Sequence, residues 1–543
     1  MERSRLIVIL FLAISFQLEA GVNRYIVFFI DKANSEFSVN RPEEFLSTKA
    51  IQRRERQGLL ITESDLPVNS SYITQLADLE ADVFHSSKWM NAVLVQVDEA
   101  VISDISALSF VKKVQYVAPN EKLLKNAENE ESDTQFNKRP RNSKSTAAQN
   151  ELLSVDEMHE LGFDGDNITI AVFDGGFQKV NEISYFEHIF SENRMVATYD
   201  FVTNSSNVYR YDDHGTRVFS AISGFFEDSF TGTAPDANFV LCVTEDVGTE
   251  FKIEEYNWLF AAEYADSLGV DIISTSLGYN IFDDRTMDYE HDDLDGQTAV
   301  ITQAANMAAE KGILLVVSAG NEGNNSWGTL TPPADSEFVL TVGSVTSSGD
   351  LSSFSSLGPT ADDRIKPDVV ALGSGVSLIG SSGSIITSNG TSFSAPLVAG
   401  LAAGIWQAKP ELTNLELIDI IRMTASRASA PDNSFGYGVP DFISATQEQV
   451  LSVDDILKER IKVYPNPFRG TKIYIDLNSR FTENGLTISL YDLAGNLLTQ
   501  GSYQNVPSEK IIEFDTDAVL PVGTYLLQVE SPKRQTQVRL LKY

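Results

Sequence analysis

Between about residues 151 and 447, short apolar runs alternate with amphipathic stretches, and this rhythm limits the fold more than any other feature of the chain. The runs 168–173, 239–243, 270–274, 313–318 and 339–342 read as buried strands, while 254–267 and 298–311 read as helices. Gly312 stands just past the second helix, where a stop is expected. Strand and helix in alternation predict an α/β fold: a parallel sheet with helices on both faces. In such a sheet the functional site gathers at the C-terminal ends of the strands. Asp174 directly follows the first strand.

The flanks have a different texture. Arg3 and Arg5 precede an apolar run of about eleven residues, too short to cross a bilayer, so 1–20 reads as a signal peptide cut after Ala20. No cysteine stands near that point to support a lipid anchor, and no later stretch has the length of a transmembrane helix. Residues 21–124 carry strands at 25–30 and 92–97 and a short helix at 101–108, which suggests a small α+β domain. Residues 125–150, rich in Asn, Ser, Lys, Glu and Gln, read as a cleavable linker, and 448–460 as a second linker. From 461 to 543 short strands without helices, at 472–477, 486–491, 510–514, 524–530 and 536–541, predict a small β-sandwich.

Composition excludes some functions. At 543 residues and 42% hydrophobic, the chain can bury several cores, so two to four domains are expected. Its 76 acidic against 41 basic residues give a formal charge of −35, which argues against nucleic acid as a partner and favours solubility. Cys242 is the only cysteine, so no internal disulfide can form, and its apolar strand setting reads as an inert core thiol.

Three polar groups punctuate the α/β region in a telling order. Ile168-Thr169-Ile170-Ala171-Val172-Phe173-Asp174-Gly175-Gly176 ends a strand on a carboxylate. Asp213-His214-Gly215-Thr216-Arg217-Val218 places a histidine at a helix start. Asn389-Gly390-Thr391-Ser392-Phe393-Ser394-Ala395-Pro396 sets a serine among small residues at the mouth of an apolar helix. A serine hydroxyl needs a base to become nucleophilic, and a base needs an orienting acid. Asp, then His, then Ser is the chain order of subtilisin, distinct from those of chymotrypsin and the α/β-hydrolases. The region 151–447 resembles a subtilisin-like serine endopeptidase. By that resemblance Asp174, His214 and Ser392 are the catalytic triad.

Further blocks extend the resemblance. Val316-Val317-Ser318-Ala319-Gly320-Asn321-Glu322-Gly323 is similar to the subtilase block whose asparagine donates to the oxyanion, which assigns that role to Asn321 with the Ser392 backbone N–H beside it; the lesser reading is that Asn321 merely makes a turn. Ser274-Thr275-Ser276-Leu277-Gly278 resembles the strand that pairs with substrate. The resemblance therefore implies substrate contacts at Ser276, Leu277 and Gly278, with Ser318, Ala319 and Gly320 opposite and Thr331 at the pocket floor. No acid stands at Thr331, so no trypsin-like preference is implied. The blocks around Gly232, Phe354, Lys366 and Gly436 agree. Three departures bear on pocket shape: Gly175 after the aspartate, Arg217 where a second histidine is common, and Phe393-Ser394 in place of Met-Ala.

The flanks follow the same resemblance. Residues 21–124 resemble an inhibitory subtilase propeptide, so the chain's own propeptide is a partner. The opening Val463-Tyr464-Pro465-Asn466-Pro467-Phe468, the turn Tyr491-Asp492-Leu493-Ala494-Gly495 and Leu520-Pro521-Val522-Gly523-Thr524-Tyr525 resemble a type IX secretion sorting domain. This implies passage through the periplasm of a Gram-negative cell to its surface or beyond, with outer-membrane secretion machinery as a second partner. A generic carbohydrate-binding or adhesive sandwich is the other reading. No cofactor is required for the implied chemistry. Seven carboxylates between Phe282 and Gly296 (Asp283, Asp284, Asp288, Glu290, Asp292, Asp293, Asp295) read as a solvated loop, with calcium the alternative. A secreted zymogen that hydrolyses protein or peptide substrates is thus expected. Its rival is a silent adhesin on the same scaffold; an esterase is weaker, since no G-x-S-x-G surrounds Ser392.

Overall fold

The computed structural model describes residues 21–119 other than Asn34, 145–447, and most of 462–542, with 478–484, 492–496, 504–510 and 517–519 among the positions left outside. The expected signal peptide, the linker up to 144, the 448–460 linker and most of the Tyr491–Gly495 turn lie outside the described residues. Two bodies are present, residues 1–446 and 447–543.

The N-terminal part of the first body is a four-stranded antiparallel sheet in the order β2-β3-β1-β4, built from β1 (Val22–Phe29), β2 (Asp82–Ser87), β3 (Ala92–Asp98) and β4 (Val111–Pro119). Helices α1 (Thr48–Arg56), α2 (Ser70–Ala77) and α3 (Ile102–Ser106) accompany it. Side chains alternate across a strand, and here both faces are used. Tyr25, Val27 and Phe29 pack with Val93, Val95, Leu76 and Ile105 in the domain's own core. Ile26, Leu94, Val117 and Ala118 belong instead to the core of the following domain, with Trp258, Leu259 and Ala262. A sheet buried on both faces explains why β3 is almost unbroken in its apolar character.

The rest of this body holds a seven-stranded, all-parallel sheet. Its strands are β5 (Thr169–Asp174), β6 (Met195–Asp200), β7 (Asn238–Val243), β8 (Ile272–Thr275), β9 (Leu314–Ser318), β10 (Leu340–Val345) and β11 (Val369–Leu372), in the order β11-β10-β9-β8-β5-β7-β6. The helices that matter below are α4 (Ala147–Glu151), α5 (His214–Ser223), α6 (Ile253–Leu268), α7 (Val300–Glu310) and α8 (Thr391–Ala408). All five expected strands are present, with ends shifted by a residue or a few. The edge strands β6 and β11 go beyond the sequence expectation: β6 is half exposed and lacks an apolar run, and β11 has only four residues.

The expected linker ends earlier than composition suggests. Gln149 and Asn150, placed in the linker by their polarity, are buried in α4. Gln149 receives Ser377 N–H at 2.9 Å and donates to Ser377 O at 3.2 Å, while Asn150 Nδ2 donates to Thr231 O at 3.1 Å. Their amides satisfy backbone groups of neighbouring segments, so the folded body is under way by Ser145 rather than 151.

Charged groups seal the join between the first domain and the second. Asp266 on α6 receives Arg53 at 2.6 Å, Arg54 at 3.0 Å and Lys88 at 3.0 Å. Asp65 receives Arg54 at 2.9 Å and Lys311 at 3.3 Å. One turn before Asp266, the Glu263 carboxylate accepts the backbone N–H of Lys88 at 2.7 Å and of Trp89 at 3.1 Å.

The second body contains two antiparallel sheets. One has the order β12-β13-β16, from β12 (Lys462–Tyr464), β13 (Lys472–Asp476) and β16 (Ile511–Asp515). The other has the order β15-β14-β17-β18, from β14 (Leu486–Tyr491), β15 (Leu497–Tyr503), β17 (Gly523–Ser531) and β18 (Arg534–Lys542). Phe468, Ile473, Ile488, Phe514 and Leu527 share one core, as a sandwich requires. Among the described residues no helix is long and apolar enough to cross a membrane.

Candidate active site

Asp174 ends β5 and His214 opens α5, and the two meet at the C-terminal edge of the sheet. His214 Nδ1 lies 2.9 Å and 3.0 Å from the two Asp174 oxygens, with the carboxylate 1% exposed and the imidazole 26% exposed. Gly215 makes this approach possible: a Cβ there would overlap Gly176 O and stand 2.9 Å from Asp174 Cβ. Asp212 Oδ1 accepts the His214 backbone N–H at 2.9 Å and holds the helix start. Burial pulls the imidazole pKa down, but the Asp174 charge and hydrogen bond outweigh it, and the net shift is upward from 6.5.

Ser392 is the second residue of α8, which follows Gly390 at φ 149°, a conformation reserved for glycine. The first N–H groups of a helix have no intrahelical acceptor, and that of Ser392 is one of them. Its Oγ donates to Ser276 O at 3.4 Å, and no Ser392–His214 hydrogen bond is formed; apo sites often hold such bonds loosely until substrate arrives. Pro396 contributes at a distance. It lacks the N–H that would bond the Ser392 carbonyl, and Ser276 Oγ fills that place at 2.8 Å. The helix that carries Ser392 and the segment after β8 are thereby tied to each other.

Asn321 is exposed beside this helix start. Its Oδ1 accepts from Thr391 N at 2.9 Å and from Thr391 Oγ1 at 3.0 Å. With the oxygen so bonded to the residue before Ser392, the amide Nδ2 keeps its donor capacity. Sequence reasoning does not single out Thr391; a hydroxyl immediately before the serine is the only signal it offers.

The expected substrate contacts also come together. β8 ends its pairing at Thr275, and Ser276, Leu277 and Gly278 run on without a sheet partner, an edge to which a peptide can add. Ser318, Ala319 and Gly320 extend β9 next to it, where Thr331 N–H donates to Ala319 O at 3.4 Å. Thr331 Oγ1 touches both sides: a Cβ on Gly278 would overlap it, and a Cβ on Gly320 would stand 2.9 Å away. Both glycines therefore leave room for the Thr331 side chain, which packs against the ends of both strands.

Two of the departures compensate each other. The Arg217 guanidinium sits 5.9 Å from the Phe393 ring centre, pairs with Asp213 at 2.8 Å and lies 3.5 Å from Ser388 Oγ. The Phe393 and His214 rings are 5.6 Å apart, so Phe393 shields one side of the imidazole.

Five carboxylates of the acidic loop accept nearby backbone N–H groups: Asp283 from Glu250, Asp284 from Thr286, Asp288 from Phe282, Asp293 from Glu290, and Asp295 from Gln297 and Thr298. Among the described residues no three His, Cys, Asp or Glu side chains gather for a metal. Cys242 is fully buried in β7, and burial pushes its thiol pKa up.

Comparison with known proteins bears on all three regions. Residues 24–135 match a peptidase S8 propeptide domain of Bacteroidota, and 462–542 a secretion-system C-terminal sorting domain, which marks the chain for secretion or the cell surface. Serine protease AprX of Bacillus subtilis is 30% identical over 304 residues, which span 50% of this chain and 65% of that protein. Subtilisin NAT of Bacillus subtilis subsp. natto is 30% identical over 291 residues, spanning 53% and 67%. Among solved structures, MycP1 from Mycobacterium smegmatis is 25% identical with a TM-score of 0.45, covering 58% of this chain and 88% of that one. Residues 165–438 match the subtilase family itself, and with the sheet and site described above the chain belongs to that family.

Proposed function

We propose that this protein is a secreted serine endopeptidase made as a zymogen. His214 takes the proton from Ser392 as its oxygen attacks the substrate carbonyl, then delivers it to the leaving amine. Asp174 keeps the proton of the imidazole on Nδ1 and stabilises the charged ring. Asn321 Nδ2 and the Ser392 N–H receive the oxyanion of the tetrahedral intermediate. The acyl-enzyme is hydrolysed by the reverse sequence with water. The observation that carries this reading is the Asp174–His214 pair standing at the start of α8, where Thr391 anchors Asn321 beside Ser392.

The preceding domain supports the zymogen reading, because its sheet and its Arg53, Arg54 and Lys88 are buried against α6. Self-cleavage then falls between Pro119, the last residue of β4, and Ser145. Full-length protein and its Ser392→Ala variant, each purified alone and given casein, test both points. The wild type should shed its N-terminal domain and digest casein; the variant should do neither. An S392A chain that digests casein normally would refute the triad, and one that still acquires the mature N-terminus would assign maturation to another protease.

A further inference from the structure

One cation lies close to the His214 imidazole and has no part in the scheme above. Arg217 stands three residues after His214 on α5, about one turn along the same face. Asp213, the residue before the helix, makes no capping hydrogen bond, and its carboxylate turns instead to Arg217 at 2.8 Å. On another side the guanidinium lies 3.5 Å from Ser388 Oγ, at the end of the strand Ile385–Ser388. The Arg217 side chain is only 17% exposed, and its Nε is buried with no hydrogen-bond acceptor. A buried donor left in that state is costly, so hydrogen bonding alone does not account for where this group sits.

What it faces is an aromatic ring. The guanidinium is 5.9 Å from the centre of the Phe393 ring, and that ring is 5.6 Å from the His214 ring at an angle of 43°. Phe393 is 3% exposed and immediately follows Ser392 on α8. The phenyl ring therefore rests against two side chains of α5 at once. A cation is attracted to the face of an aromatic ring, the more so where water is excluded. The imidazole is then confined from two directions: Asp174 holds Nδ1, and Phe393 closes off one side.

The charges about His214 come from few elements. Asp174 faces it from β5, Asp212 from the turn before α5, and Arg217 from α5 itself. Asp213 is paired with Arg217, Glu245 beyond β7 stands beside the turn after Asp174, and Ser392 and Phe393 of α8 carry no charge. Burial and Arg217 disfavour the charged imidazole, whereas Asp174 and Asp212 favour it. A general base must be neutral to act, so a cation set against the carboxylates serves it. A neutral histidine, common at this place, supplies no such charge. Resting on the peptidase reading, we propose that Arg217 is a positioning residue for His214: its guanidinium seats Phe393 against the imidazole and sets one positive charge against the surrounding carboxylates.

The test is the pH profile of kcat and KM on one peptide, for mature enzyme released from the full chain, in Arg217→Gln, Phe393→Ala and the double variant. R217Q should raise the midpoint at which activity appears by about half a pH unit, the order of one screened charge nearby. It should also lower the plateau kcat about fivefold with little change in KM, as loss of one cation–ring contact implies. Because Arg217 acts through the ring, R217Q should cost less kcat when Phe393 is already alanine. An unmoved midpoint, or an equal loss of kcat with and without Phe393, overturns the proposal. Arg217→Lys keeps the charge but not the flat fork that meets the ring while pairing with Asp213. It should keep the wild-type midpoint and lose part of kcat; a midpoint displaced as far as that of R217Q overturns the proposal. Titration of the His214 ring protons by NMR in the S392A chain, with and without R217Q, reads the same upward shift without turnover, and an unmoved midpoint there overturns the proposal even if R217Q fails to mature. Failure of the peptidase reading looks different: the wild type then cuts no peptide in a Ser392-dependent way, while the ring-proton titration still shows whether Arg217 acts on His214.

Discussion

Arg53 and Asp266 meet at 2.6 Å across the join between the N-terminal domain and α6, with side chains only 1% and 0% exposed. Arg54 and Lys88 share the same carboxylate, so one anion on the catalytic side holds three cations of the N-terminal domain. The cations hold Asp266 ionised, well below the usual carboxylate range, despite its burial.

Removing that anion strands the cations. Breaking a buried pair from one side costs about 3–5 kcal/mol. In the uncut S392A chain, Asp266→Asn should therefore lower the free energy needed to open the join by about that amount. Hydrogen exchange of α1 and α6 reads this directly, and unchanged protection would show that the apolar face alone holds the domain.

The pH profile should follow His214. Its pKa lies above the ordinary value, so the neutral base forms only as pH rises through that higher midpoint, and activity is lost below it. Asp174→Asn removes the charge that raises the pKa. The midpoint of kcat/KM should then move to lower pH, and turnover should fall by about 10⁴, the size seen when such an aspartate is neutralised in a serine protease. A midpoint that stays put in D174N would remove Asp174 from its role.

Asn321→Ala should lower kcat with little change in KM, because the amide acts on the oxyanion rather than on bound substrate. The expected loss is about 10²–10³, the size that removing the corresponding asparagine produces in subtilisin itself. Thr391→Val, which keeps the backbone N–H but removes the hydroxyl that also holds Asn321, should produce a smaller loss of the same kind. A raised KM at constant kcat in either variant would contradict the assignment.

Gly278 and Gly320 let Thr331 pack between the ends of two strands. Gly278→Ala should slow cleavage, since its Cβ would overlap Thr331 Oγ1 and displace the strand end. Adding Thr331→Ala should restore part of the rate. Cleavage of one peptide by the single and double variants measures this, and independent effects would mean the two residues do not touch.

A chain ending at Thr446 should keep catalysis, because the second body closes its own core and contains none of the site residues. The same chain should be retained in the periplasm of its host. Fractionation of culture fluid, surface and periplasm distinguishes sorting from a binding role.

The sequence makes Asp174, His214 and Ser392 legible because each stands in a local motif. It hides what holds them. That Ser276 occupies the carbonyl left free by Pro396 depends on a contact between residues 116 apart in sequence, which no local pattern contains. Gln149 and Asn150 illustrate the opposite error, since polarity reads as exposure until a buried backbone group claims the amide. The strand β6 is invisible for a related reason: a half-exposed edge need not be apolar.

The two-faced sheet of the N-terminal domain makes its departure costly. While attached, Ile26, Leu94, Val117 and Ala118 are packed into a neighbour's core. Once the domain departs, the same side chains face water, at about 25 cal/mol for each Å² of apolar surface. Separation of the two domains therefore carries an apolar cost in addition to the loss of the charged contacts, and both terms favour the attached state.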